Sequence, residues 1–197
     1  MSSYQLSDRF NEAFNFAFHL HRYQLKKGSH IPYITHLMAV AALVVENGGD
    51  EDEAIAGLLH DAVEDQGGLE TLEQIRQQYG DEVASIVMEC SDTSVTPKPP
   101  WRERKEKYLV HLEHASPKAL RVSLADKVHN IRCIFFDYQR DGEDLWERFT
   151  GKKDGTLWYY HSLSKAFHKV TDNVMLADFD HTLYLLDEMI EDRSYAS

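Results

Sequence analysis

The chain is poor in the features that would tie it to a membrane, an oxidising compartment or a polyanion. No apolar run approaches the ~20 residues a membrane span needs. The N-terminal MSSYQLSDRF lacks the basic and apolar regions of a signal peptide. Cysteine is nearly absent. Cys90 and Cys133 are the only two, both fall in helix-like segments, and they make neither a disulfide framework nor a CxxC zinc site. A reducing cytoplasm is therefore expected. Cations are scarce, with 21 Lys and Arg against 33 Asp and Glu, a formal net charge of −12. That balance disfavours nonspecific attraction to a nucleic acid polymer or an anionic membrane. A phosphorylated substrate would require the few cations to be concentrated at one place. Proline is also rare, and three of the five prolines lie in TSVTPKPP, residues 93–100. There is no convincing β-alternation, internal repeat or low-complexity segment.

What remains is helix periodicity over 197 residues, a length that suits one domain. Phe10, Phe14, Ala17, Phe18, His21 and Leu25 recur at three- and four-residue steps, predicting a helix from about Asp8 to Lys26. Thr35 reads as the N-cap of a second helix that ends at Asn47-Gly48-Gly49. A third starts near Asp50 and is stopped by Gln66-Gly67-Gly68. Two shorter helices, Leu69 to Tyr79 and Asp81 to Asp92, are split by Gly80, and a charged surface helix follows from Trp101 to Ala115. Pro117 opens a helix to about Tyr138 that is apolar on nearly every side, the pattern of a central buried element. After a polar, glycine-punctuated stretch from Asp141 to Gly155, two last helices cover about Thr156 to Thr171 and Val174 to Asp192. The expected fold is all-α.

The chemistry concentrates in a few polar residues on these apolar helices. His60-Asp61 ends the apolar run AGLL, and Glu64 and Asp65 lie four residues beyond. A continuous helix would set His60 above Glu64 and Asp61 above Asp65. Three carboxylates and an imidazole crowded near a helix C-terminus oppose the helix dipole, a cost without structural gain. Asp126 lies in the central helix, where a buried carboxylate needs Lys127, another donor or a metal. Asn130 is one turn further on the same face, and His36 opens the second helix after Pro32-Tyr33. Two imidazoles and two carboxylates make a mixed N/O donor set that suits Mn²⁺, Fe²⁺ or Zn²⁺ better than Ca²⁺ or Mg²⁺. Such an ion activates water and stabilises phosphoryl charge, and Glu64 and Asp65 are placed to take the water's proton.

The order His36 … His60-Asp61 … Asp126 resembles the H…HD…D signature of the HD phosphohydrolase superfamily. PYITHLMAVAALV, GLLHDAVED and LADKVHNIR narrow the resemblance to the hydrolase domain of RelA/SpoT-type alarmone enzymes, in particular the small hydrolase-only members. It runs from about Asp8 to Thr171. The resemblance implies an all-helical HD-type bundle with a central metal site and a bound Mn²⁺. It also implies hydrolysis of the 3′-pyrophosphate of guanosine 3′,5′-bis(diphosphate), ppGpp, with release of pyrophosphate. By position, His36, His60, Asp61 and Asp126 would be metal ligands and Glu64 and Asp65 the catalytic acids. Lys26, Lys27, Asn130 and Tyr159 would contact the nucleotide. Lys26 stands where the family usually has arginine, and Leu37 where it usually has proline. The alternatives are an HD phosphatase for another nucleotide and a non-catalytic nucleotide sensor. The intact Glu64-Asp65 pair argues against the sensor.

Other candidate phosphate clamps are Lys98, Arg102, Arg104, Lys105, Lys152 and Lys153, although a run such as RERKEK is usually a solvated helix face. Trp158 and Tyr160 are core or base-stacking aromatics. His21 and His129 read as packed residues or as supports for the metal ligands.

Overall fold

Local signals set most of the helix ends. The computed structural model describes residues 5–95 and 97–196, the side chains of 194–196 excepted. Residues 1–4 of the N-terminal stretch and Thr96 of the proline-rich stretch lie outside the described residues. In order, the helices are α1 (Asp8–Leu20), α2 (Ile34–Glu46), α3 (Glu51–Leu59), α4 (Ala62–Asp65), α5 (Gly68–Tyr79), α6 (Asp81–Cys90), α7 (Trp101–Leu112), α8 (Pro117–Asp141), a 3-10 helix (Gly142–Arg148), α9 (Lys152–Val170) and α10 (Met175–Ala196). Asp50 and Glu53 close a reciprocal capping box at the start of α3. Ser116 caps α8 just before its Pro117. The β contribution among the described residues is one isolated bridge, Leu25 to Pro32.

Helix α8 is the axis of the molecule. It packs against α2, α3, α6 and α10, while α7 lies on α9 and α1 on α3. Its buried residues run from Ala119 to Tyr138 and include Val122, Leu124, Ala125, Asp126, Val128 and Ile131. Leu37, Leu59, Leu124 and Ile131 are fully enclosed in one hydrophobic cluster. Each such side chain contributes about 1.5–3 kcal/mol by leaving water. The polar residues that share these faces are thereby held in rigid walls.

Two glycines set helix spacing. A Cβ on Gly57 of α3 would stand 3.1 Å from the Ala41 Cα and 3.3 Å from its N, so the α2–α3 approach depends on a bare Cα. At Gly151 a Cβ would meet the Trp101 ring at 2.7 Å, which seats the start of α7 against the start of α9.

Five expected boundaries move. Helix α1 ends at Leu20 rather than near Lys26. From His21 the chain turns, and Lys26 N–H bonds to the Ile31 carbonyl (2.8 Å) while Tyr33 N–H bonds to that of Gln24 (2.9 Å). Thr35 is not the α2 N-cap, because that position is Tyr33 and the Thr35 hydroxyl donates to the Pro32 carbonyl at 2.8 Å. The third expected helix breaks at His60-Asp61 into α3 and α4. Glu64 and Asp65 therefore lie in the single turn of α4 and not at the end of one long helix, although Asp65 N–H still bonds to the Asp61 carbonyl at 3.0 Å, so that pair keeps its helical spacing. The stretch from Asp141 to Gly155 is mostly helical: Leu145 and Trp146 of the 3-10 helix are buried, and α9 begins at Lys152. Helix α7 stops at Leu112.

Candidate metal centre and adjoining cleft

Four side chains from four places in the chain meet beside α8. His36 comes from the first turn of α2, His60 from the end of α3, Asp61 from the junction with α4, and Asp126 from the middle of α8. His36 Nε2 lies 3.3 Å from His60 Nε2, 3.2 Å from Asp126 Oδ1 and 3.7 Å from Asp61 Oδ2. His60 Nε2 lies 3.1 Å from Asp61 Oδ2 and 3.6 Å from Asp126 Oδ1. Donors about 2.1 Å from one ion stand roughly 3.0–3.5 Å apart in octahedral or tetrahedral geometry, so these spacings fit a shared cation. His36, His60 and Asp126 are all buried and form a group able to hold a metal ion, with Asp61 on its open side. The mixed imidazole and carboxylate donors fit a divalent ion.

The surrounding groups orient the donors. His60 Nδ1 is 2.9 Å from the Gly57 carbonyl, which accepts its hydrogen bond, so that Nε2 is the nitrogen turned to the centre. His36 Nδ1 is 2.7 Å from His129 Nδ1, and burial together with His36 lowers His129 to about 4. A neutral His129 can accept at Nδ1, and the tautomer in which His36 donates to it is the one that leaves the His36 Nε2 lone pair facing inward for a metal. Tyr33 donates its hydroxyl to Asp61 Oδ2. Asp126 receives Lys127 Nζ on Oδ2 and Asn130 Nδ2 on Oδ1, each at 2.5 Å. Burial opposes charge on Asp126, yet Lys127 and the two histidines hold its pKa well below the usual carboxylate range. Burial likewise opposes charge on His60, but Asp61 and Asp126 outweigh it and hold its pKa well above the ordinary value. The centre is thus charged even among its own residues, and a bound cation would displace the His60 proton.

Glu64 and Asp65 stand at the edge of the centre. Lys98 Nζ bridges them, 2.9 Å from Glu64 Oε1 and 2.9 Å from Asp65 Oδ1. Gln24 Nε2 donates to the other Asp65 oxygen at 2.9 Å. Burial and then the Asp92 charge push the Glu64 pKa up to about 7. His36 also lines a cleft of about 200 Å³, together with Lys26, Lys27, Tyr33, Asn130, Cys133 and Phe149 among others. Lys26 Nζ rests 2.9 Å from Cys133 Sγ. Lys26 and Lys27 lie on this cleft and Lys98 and Arg104 at Glu64, while other cations pair with acids elsewhere, Lys118 with Asp50 and Lys169 with Glu113 among them.

Not every candidate reaches this region. Tyr159 is 6% exposed, its hydroxyl has no partner, and it lies against Lys105 (5.0 Å from Nζ to ring centre) and Trp101, off the lining of the Lys26 cleft. Lys152 and Lys153 are the first residues of α9, paired with Glu147 and Glu143. Arg102 stacks on Trp158 and pairs with Glu106. Arg104 and Lys105 turn inward onto Asp92 instead. His21 is buried, stacked on Tyr33, with Nδ1 2.7 Å from Gln24 Oε1. Sequence reasoning missed Tyr33 and Asp92 as polar partners of the site. Tyr33 lies three residues before His36, a spacing that could have marked it.

Residues 13–157 match the HD domain family. Over 126 residues the chain is 42% identical to a guanosine-3′,5′-bis(diphosphate) 3′-pyrophosphohydrolase, MESH1, of Xenopus tropicalis, covering 62% of this chain and 68% of the relative. The MESH1 of Homo sapiens is 38% identical over the same share of both chains. A solved structure described as a metazoan orthologue of SpoT that hydrolyses ppGpp superposes with a TM-score of 0.76 at 24% identity, covering 92% of this chain and 97% of that one, a likeness of fold. The crystal structure of lmo0812 from Listeria monocytogenes gives a TM-score of 0.66 at 26% identity, covering 79% of this chain and 99% of that one. The chain belongs to the HD-domain family and, within it, to the branch that contains the MESH1 proteins.

Proposed function

We propose that this protein is a metal-dependent hydrolase that removes the 3′-pyrophosphate of ppGpp, yielding guanosine 5′-diphosphate and pyrophosphate. The observation that carries the reading is the grouping of His36, His60 and Asp126, with Asp61 Oδ2 3.7 Å and 3.1 Å from the two imidazoles, beside a cleft that His36, Lys26 and Lys27 line. The activity named for the MESH1 relatives supports it. We take the chain, 1–197, as one HD-type domain acting on a small nucleotide in the cytoplasm. Among the described residues no helix is long and apolar enough to cross a membrane.

In this reading His36, His60, Asp61 and Asp126 hold one divalent ion, Mn²⁺ by family resemblance. The ion supplies Lewis acidity, stabilising phosphoryl charge and lowering the pKa of water. The side chains do the rest. Lys127 and Asn130 keep Asp126 ionised and fixed, and Tyr33 does the same for Asp61. Lys26 and Lys27 neutralise substrate phosphates in the cleft, and Asn130 contacts the nucleotide from the floor of the same cleft. Water attacks the phosphorus bonded to O3′ and the P–O3′ bond breaks. Glu64, with Asp65 beside it, accepts the water's proton, and a carboxyl poised near neutral pH suits that task. The departing O3′ takes a proton from solvent.

A hydrolysis screen over guanosine tetra- and pentaphosphates, dinucleotide phosphates, nucleoside monophosphates and nucleoside triphosphates with Mn²⁺ tests the substrate. Selective release of pyrophosphate from ppGpp is expected. Rapid turnover of simple triphosphates with ppGpp untouched would point to another HD phosphatase, and binding without turnover to a sensor.

A further inference from the structure

Asp92 lies two residues past the end of α6 and its side chain is only 4% exposed. A carboxylate so enclosed needs strong partners. It has them in α7: Arg104 Nη1 is 2.6 Å from both Asp92 oxygens and Lys105 Nζ is 2.6 Å from Oδ2. The same Arg104 nitrogen is 3.4 Å from Glu64 Oε1, and its Nε donates to the Pro99 carbonyl at 3.1 Å. The Glu64 and Asp92 carboxyls share Arg104 Nη1, so the charge of each bears on the other. Arg104 is therefore wedged between two acids and held far more closely by one of them.

We propose that Asp92 is a positioning residue for Glu64: its grip on Arg104 holds the guanidinium beside Glu64 Oε1 and keeps that cation committed to Asp92. The inference rests on the reading of Glu64 as the acceptor of the water proton. The charged groups facing Glu64 are Asp61 and Asp65 from α4 and its junction, Asp92 after α6, Lys98 before α7, and Arg104 from α7. Helix α5, which also packs on α4, brings none within ion-pair distance among the described residues. Two cations touch Glu64 and would by themselves make it a weak base. Asp92 counters them, because Arg104 is already committed to it. Burial opposes charge on Asp92, but Lys105 and Arg104 hold its pKa down at about 2, so it stays ionised while Glu64 titrates near 7. Two neighbouring carboxyls with pKa values pushed apart divide their labour: one is a fixed charge, the other moves a proton.

Two substitutions act on Glu64 in opposite directions. Asp92→Asn removes the negative charge and should move the acidic limb of the kcat profile on ppGpp to lower pH, by about one unit or more, the usual effect of a charge at this range. Arg104→Gln removes the positive charge and should move the limb to higher pH. Asp92→Glu should restore the wild-type limb, and KM should change little in all three. The Glu64 carboxyl titration, followed by NMR in the metal-free proteins, should show the same opposed shifts without relying on turnover. A general folding defect lowers rates but does not shift a limb in opposite senses. If Asp92→Asn fails to fold by circular dichroism, Arg104→Gln decides alone: an upward limb supports the proposal and an unmoved limb overturns it. Coincident limbs, or shifts in one common direction, also overturn it. A wild-type protein without ppGpp hydrolysis would instead sink the hydrolase reading, and the NMR titration would still decide the role of Asp92.

Discussion

His36 and His129 face each other nitrogen to nitrogen, 2.7 Å apart. Only one of the two can carry the shared proton. A metal on His36 Nε2 requires the proton on His36 Nδ1, and His129, its pKa lowered to about 4 by burial and His36, can accept that hydrogen bond as the neutral ring. His129→Phe keeps an aromatic of similar size and removes the acceptor. Metal affinity should then fall by roughly 10–100-fold, as for other partners of ligating histidines. Competition with a chromophoric chelator measures this, and an unchanged affinity would mean that His129 merely fills space.

Gly57 controls the approach of the helices that bring His36 and His60 together. Gly57→Ala would press a methyl against the Ala41 backbone, a main-chain contact that cannot rotate away. A loss of roughly 1–3 kcal/mol is expected from such overpacking. Thermal unfolding of the metal-free proteins would reveal it as a lowered Tm, while equal or higher stability would mean that α2 and α3 slide apart freely.

Lys26 lines the cleft and rests on Cys133 Sγ. As a point charge for phosphate, it should tolerate Lys26→Arg with preserved or improved kcat/KM on ppGpp, since arginine forks onto phosphate better than lysine does. Lys26→Ala should raise KM by roughly tenfold or more, the loss of one hydrogen bond to a charged group. Steady-state kinetics on the two variants decides. A damaging Lys26→Arg with a harmless Lys26→Ala would remove Lys26 from the substrate site.

The parts of this site that were legible in the sequence are those carried by local pattern. Asp126 stands out because a carboxylate in an all-apolar helix demands explanation, and it lies at the centre of α8 with Lys127 and Asn130 on its oxygens. His60-Asp61 was visible as a pair, but the break beneath it was not. Apolar Ala62 and Val63 continue the pattern across the junction, while the His60 side chain takes a carbonyl of the last α3 turn. In the run from Arg102 to Lys107 every residue is charged, which hides that Arg104 and Lys105 precede buried Tyr108 by one turn and share its inward face. Asp92 needed its tertiary ion pairs with Arg104 and Lys105 to be seen at all. The short reach of α1 was illegible for a similar reason. His21 and Leu25 keep the helical spacing by chance, although His21 stacks on Tyr33 and Leu25 bridges to Pro32.

Glu64 and Asp126 should fail in different ways. Asp126→Ala removes a donor from the buried group and should lose metal and stability together. Glu64→Gln keeps the shape and removes the base, so metal content and nucleotide affinity should persist while kcat falls by roughly 10²–10⁴-fold. Elemental analysis, calorimetry and pyrophosphate release, run in parallel, separate the two. Wild-type turnover in Glu64→Gln would reassign the proton transfer to Asp65.

The most direct measurement is turnover of ppGpp by the full chain after exhaustive dialysis against a chelator, before and after Mn²⁺ is restored, with all products identified. The metal-free protein should be inactive and should unfold at a lower temperature, because an ion that binds only the native state stabilises it by mass action. Restored Mn²⁺ should yield pyrophosphate and guanosine 5′-diphosphate in equal amounts. Full activity in a rigorously metal-free sample, or release of orthophosphate in place of pyrophosphate, would contradict the account.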